Sequence, residues 1–324
     1  MADTGDWEFP RPLQPRSEEL AFDLDSALSS VVSLRSEVPE EAFTASILGT
    51  ERVGSGVVIR EDGLVLTVGY LITEARTIWL TTTRGAAIAG YPLGFDQATG
   101  FGLVQALGKL GVPAIQRGSA ADVDVGDSAI FAGNGGRRHA LKARVIAKRE
   151  FAGYWEYVLD EAIFTAPAHP QWGGAGLIDG SGKLIGVGSL LVQEKTGDKE
   201  VQGNMVVPID LLAPILDDMA TLGRPDRPAR PWLGMYTTEI DGRLTVAGVA
   251  PKGPAERAGV RQGDIVGAVA GERPASLAAL FRSIWRQGPA GAEVPLTILR
   301  EGATKAVRVK SADRAEFLLK PKLN

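Results

Sequence analysis

The chain has 324 residues, room for two domains, and 44% of them are apolar, enough for a sizeable core in each. A net charge of −4 with no long basic run argues against nucleic acid as a partner. The absence of Cys excludes disulfides and thiolate metal sites; two His, His139 and His169, exclude a His-rich metal site; and no run of 18 apolar residues offers a membrane span, so neither metal nor cofactor is expected.

Residues 1–25 read as a polar arm. It has neither a basic start nor an apolar stretch of signal-peptide type, so the sequence as it stands implies the cytoplasm, or the periplasm if a leader has been removed. Asp23–Ser36 reads as a short helix or the lead into a first strand. Residues 26–222 form the first domain, in which short β-rich runs alternate with Gly turns. Val57–Ile59 and Leu64–Val68 flank Asp62-Gly63 in a hairpin pattern. Many short strands without intervening helices predict barrels or a sandwich. Ile209–Leu222 reads as an amphipathic helix, kinked at Pro214 or begun after it. Residues 223–231, rich in Pro and Arg, read as a semi-rigid linker.

A second domain covers 232–312, followed by a polar tail over 313–324. Pro254-Ala255 open a short helix that Gly259 ends, and Gly263-Asp264 turn into a strand. Leu277, Leu280, Phe281 and Ile284 recur at helical spacing, with Ser276 placed as the N-cap.

Three blocks of the first domain resemble the HtrA (Deg) family of trypsin-like serine proteases. Gly54-Ser55-Gly56, a strand, a turn and Thr67–Leu71 resemble the block that carries the family's His, and Tyr70 falls on it. Asp96–Val104 resembles the block that carries its Asp, and Gly100 falls there. His169–Gly174, followed by Asp179-Gly180 and Lys183–Gly186, resembles the nucleophile block. Trp172 falls on the Ser and Pro170 on the oxyanion Gly. Pro231–Met235 resembles the carboxylate-binding loop of the family's PDZ domain, and Val249–Val266 resembles that domain's next conserved stretch. The resemblance covers about 30–312. It implies a mostly β chain: two six-stranded antiparallel barrels of trypsin type, then an α+β PDZ domain.

The residues at the three catalytic positions are chemically mute for the family's reaction. An indole N–H is no nucleophile, a phenol titrating near 10 is no neutral-pH base, and glycine has no carboxylate to orient one. Pro170 lacks the amide an oxyanion hole needs. Tyr70 and Trp172 then read as fillers of a disused cleft, or as a small apolar binding surface. Ser181 and His169 read as a turn residue and a loop histidine. The PDZ groove, by contrast, keeps its parts. The resemblance assigns peptide binding to Trp232, Leu233, Gly234 and Met235, with Leu277 facing the groove.

The expectation from these residues is a catalytically inactive, HtrA-like pseudoprotease, not an enzyme. It would bind polypeptide C-termini or unfolded segments as an adaptor, chaperone or regulatory subunit. The alternative is a serine-type endopeptidase with a rearranged active site, for which His169 is the candidate base. The resemblance also implies a homo-oligomer, a trimer in the family, or assembly with an active paralogue. Trp7, Phe9 and Phe22 are the candidate contacts.

Overall fold

The computed structural model describes residues 7–196 and 199–320. Residues 1–6 of the arm, 197–198, and 321–324 of the tail lie outside the described residues. Two compact units result. Among the described residues the first holds 7–149, 161–226 and 319–320, and the second holds 150–160 and 227–318.

The first unit opens with helix α1 (Leu24–Ser29), whose cap Asp23 accepts from Ser26 N at 3.1 Å, and runs into strand β1 (Val31–Glu37). Both readings of this stretch therefore hold in succession. Helix α2 (Ala45–Leu48) leads to β2 (Glu51–Val58) and β3 (Leu64–Val68), the hairpin read around Asp62-Gly63. Helix α3 (Gly69–Ile72), β4 (Thr77–Thr81), β5 (Ala87–Phe95) and β6 (Phe101–Ala106) complete a closed barrel in the order β1-β2-β3-β6-β5-β4. β3 is buried along its whole length, as a short unbroken apolar run predicts.

The second barrel closes in the order β10-β11-β12-β9-β8-β7. Its strands are β7 (Ser128–Ala132), β8 (Ala140–Gly153), β9 (Tyr157–Ala166), β10 (Gly176–Ile178), β11 (Leu184–Thr196) and β12 (Lys199–Pro208). Phe131, Leu141, Val145, Leu177, Ile185 and Val206 fill its core. A 3₁₀ turn at Ile209–Leu211 precedes α4 (Leu216–Leu222), so the regular helix starts after Pro214. The proline lacks the N–H that an unbroken helix through it would use.

The second unit is a five-stranded antiparallel sheet in simple order: β13 (Met235–Ile240), β14 (Arg243–Val249), β15 (Ile265–Val269), β16 (Glu293–Arg300) and β17 (Ala303–Lys310). Helices α5 (Pro254–Arg257) and α6 (Leu277–Trp285) pack on it. Ser276 Oγ accepts from Ala279 N at 3.1 Å, the cap read from sequence. The core joins Leu233, Met235, Val246, Leu280, Phe281, Ile284 and Ile298. It also holds Val158, which comes from the hairpin between β8 and β9. Mostly β, with two trypsin-like barrels and then a PDZ-type α+β unit, is the architecture found.

Trp7 and Phe9 turn inward. Trp7 stacks on His139 with ring centroids 4.5 Å apart, and Phe9 meets His169 edge-on at 5.0 Å. Among the described residues no helix is long and apolar enough to cross a membrane, and no cluster of three or more His, Asp or Glu could hold a metal.

Candidate functional site

The structure brings the three family positions of the first unit to one place. The amide of Gly69, next to Tyr70, donates to Gly100 O at 2.7 Å. Ser55 N donates to Gly173 O at 2.8 Å, which ties the first block to the third. Tyr70 Oη donates to Ser189 O at 2.8 Å, and burial pushes the phenol well above its ordinary range, partly offset by Trp172. It is a fixed hydrogen-bond donor with no proton to exchange near neutrality. Gly100 contributes backbone only, in a turn with φ +83°, where its N–H returns to Asp96 O at 2.8 Å. That conformation favours glycine over any residue with a carboxylate.

Two backbone donors of the third block are already engaged. Gln171 N donates to His169 Nδ1 at 3.0 Å and Gly174 N to Gly188 O at 2.9 Å, while Pro170 has none to give. Trp172 is half-buried against the core of the second barrel. His169 is fully buried. Its Nε2 lies 2.8 Å from His139 O, and its amide donates to Asn204 Oδ1 at 2.7 Å. With Nδ1 accepting, Nε2 carries the proton, so this histidine is a neutral structural strut. Burial pulls its pKa down to about 4. Among the described residues neither histidine bonds a hydroxyl, and Ser181 Oγ turns to Asp179. His139 Nδ1 is buried without a partner among the described residues.

The second site lies in the other unit, at the start of β13. Trp232 N and O bond Ala312, and the indole packs on Phe317 at 4.9 Å, so its side chain anchors the loop. The side chains of Leu233 and Met235 point into the core, and Leu277 packs at the edge of it. The backbone amides of this loop do something else. Leu233 N donates to both carboxylate oxygens of Glu156 at 3.1 and 3.2 Å, and Met235 N donates to one at 3.0 Å. Glu156 is 6% exposed, and burial raises its pKa to about 7 against the pull of the Met235, Leu233 and Gly234 amides and of Arg314. Sequence reasoning placed 150–160 in the first domain and missed Glu156. The available signal was an aromatic turn, Tyr154-Trp155-Glu156-Tyr157, where a hairpin tip is ordinarily polar.

Comparison with known proteins fits this geometry. Residues 54–187 match the trypsin-like peptidase domain model, and 231–311 match the PDZ domain model. A protein of Chlamydia trachomatis named "Probable periplasmic serine endoprotease DegP-like" is 27% identical over 270 residues, covering 79% of this chain and 53% of that protein. A "Probable periplasmic serine protease do/HhoA-like" protein of Haemophilus influenzae is 26% identical over 278 residues, covering 80% and 58%. The chain thus spans little more than half the length of these relatives. Among solved structures, the HtrA-type protease AlgW with a decapeptide superposes with a TM-score of 0.54 at 18% identity, covering 93% of this chain and 100% of that one. The serine endoprotease from Yersinia pestis gives 0.51 at 19% identity, covering 91% and 99%. These likenesses show a trypsin-like peptidase domain followed by a PDZ domain.

They also correct one expectation. From Tyr70, Gly100 and Trp172 alone the chain reads as no enzyme, but its relatives are named serine endoproteases and its structural neighbours HtrA proteases. The physical reason is that three blank positions exclude one placement of a triad. A catalytic constellation is defined by geometry and role rather than by position in the chain.

Proposed function

We propose that this chain is an HtrA-like polypeptide-processing protein that engages polypeptides ending in a free carboxylate at its PDZ loop, with serine-type endopeptidase activity as the associated chemistry. The observation that carries the reading is the convergence of the Leu233 and Met235 amides on a carboxylate. Paired backbone donors aimed at one carboxylate are what capture of a chain terminus requires, and apolar neighbours such as Leu277 are suited to the last side chain. The names of the relatives support the peptidase half. Because Tyr70, Gly100 and Trp172 supply no triad, that half is a rearranged site, and its nucleophile is a hydroxyl at another position than 172. Ser55 and Ser189, whose backbones bond Gly173 and Tyr70 at the cleft, are the first to substitute. The same groove serves an adaptor, chaperone or regulatory role, in a homo-oligomer or beside an active paralogue.

The test is overnight incubation of the purified chain with casein, with Ser55→Ala and Ser189→Ala in parallel. Cleavage that survives affinity clean-up and disappears in one of these variants supports the peptidase half. No cleavage by the wild-type chain refutes it and leaves the carboxylate groove as the functional site.

A further inference from the structure

We propose that the hairpin 150–160 is a built-in ligand of the PDZ groove, with the Glu156 carboxylate standing where the terminal carboxylate of an incoming polypeptide would bind. The inference rests on the carboxylate-binding reading of the loop and adds what occupies that loop and what must leave it.

Five observations converge. The donors are Leu233 N, Met235 N and Thr237 N, three alternate amides along the loop that leads into β13 and the first residues of that strand. β13 is the edge strand of its sheet, and alternate amides on an edge strand point to the side where a further strand would add. The first two amides bond Glu156. The third donates to Tyr154 O at 3.0 Å, so the hairpin tip supplies both a carboxylate and a backbone acceptor, as a bound peptide would. Val158 is buried in the apolar cluster with Leu233, Met235 and Phe281, where a last side chain would otherwise sit. Arg282 of α6 pairs with Glu150 and Asp160, one on each leg of the hairpin.

The fifth observation is conformational. Tyr154, Trp155 and Glu156 form the turn between β8 and β9, and Glu156 ends it with φ +63°. A three-residue hairpin turn takes Gly at that left-handed position by preference. A glutamate there accepts backbone strain and places its carboxylate on the amides of the groove.

An intramolecular ligand competes at an effective concentration of order millimolar, so an external terminus binds with its affinity reduced by the fraction of time the groove is free. The hairpin is therefore a threshold on ligand binding. It selects termini that match a free carboxylate with a small branched apolar last residue, because Val158 is the side chain they replace.

The experiment uses the full chain and a fluorescein-labelled hexapeptide ending in Val, with a free carboxylate or as its C-terminal amide. Anisotropy titrations compare wild type with Glu156→Gln. The expected result is at least about tenfold tighter binding of the carboxylate peptide to Glu156→Gln, because the glutamine keeps one acceptor and turns an NH2 donor toward amides that are themselves donors, with the amide peptide binding neither. Amide exchange on the wild type gives a reading that no variant can spoil. Saturating peptide should leave Leu233, Met235 and Thr237 protected while residues 150–160 lose protection. Equal affinities for wild type and Glu156→Gln, with hairpin protection unchanged by peptide, overturn the proposal. If the peptide binds neither protein, the reading of the groove as a C-terminus site fails. The internal-ligand proposal is then decided by the Leu233 and Met235 amides: faster exchange in Glu156→Gln sustains it and unchanged exchange removes it.

Discussion

Lowering the pH from 7 to 4.5 should destabilise one unit of this protein and stabilise the other. In the first unit, burial holds the pKa of His169 near 4, against 6.5 for an unfolded histidine. Between those values the unfolded chain holds more protons than the native one, so stability is present above pH 6.5 and is lost as pH falls toward 4. In the second unit, burial raises Glu156 from 4.5 to about 7. There the native chain holds more protons, so stability is fully present below 4.5 and is lost as pH rises through 7. Each shift corresponds to about 3 kcal/mol, of opposite sign, over nearly the same window. A global unfolding curve would show the two cancelling. Hydrogen exchange resolved by peptide mass, corrected for intrinsic rates, separates them through Val206 in the second barrel and Val246 in the PDZ sheet. Glu156→Gln should flatten the slope at Val246 and leave that at Val206 intact. Slopes of the same sign in both units, or a Val246 slope that survives Glu156→Gln, would refute the assignment of these titrations.

Arg300→Met should lower the urea midpoint, because it strips the bidentate partner from Asp264, whose side chain is 1% exposed; adding Asp264→Asn should recover part of the loss. Gly174→Ala should cost about 2–4 kcal/mol in thermal unfolding, since a Cβ there would lie 1.9 Å from Ser55 O on a backbone with φ +77°. Leu277→Ala should weaken the Val-ending peptide about tenfold in the Glu156→Gln background, with the amide control unchanged.

Much of the fold was legible because it is written in local pattern. The unbroken apolar run of β3, the Ser276 cap of α6 and the break at Pro214 each follow from a few neighbouring residues. The position of Tyr70 beside Gly100 and Gly173 was also legible, through the order of three blocks. The role of Glu156 was not, because its partners lie 77 and 79 residues away and a carboxylate bonding amides leaves no periodic trace. His169 was read as a loop residue for a related reason. Its burial depends on His139, Asn204 and the aromatic rings of the arm, all distant in sequence. Nor did the three blank positions reveal the chain's chemistry, since side-chain identity at family positions excludes a mechanism and leaves the activity of the relatives unexplained.

The chain passes between its two units four times, at 149/150, 160/161, 226/227 and 318/319. This matters for how the protein is made. On a ribosome adding about 5–20 residues per second, the Tyr154–Val158 tip is synthesised several seconds to about a quarter of a minute before the loop that covers it. For that interval a strip of aromatic and branched side chains waits in solvent, the period when a nascent chain is most open to aggregation or chaperone capture. A fragment cut at the matched 231–311 boundaries never receives the tip at all. Its core would lack Val158 and its edge strand would be bare.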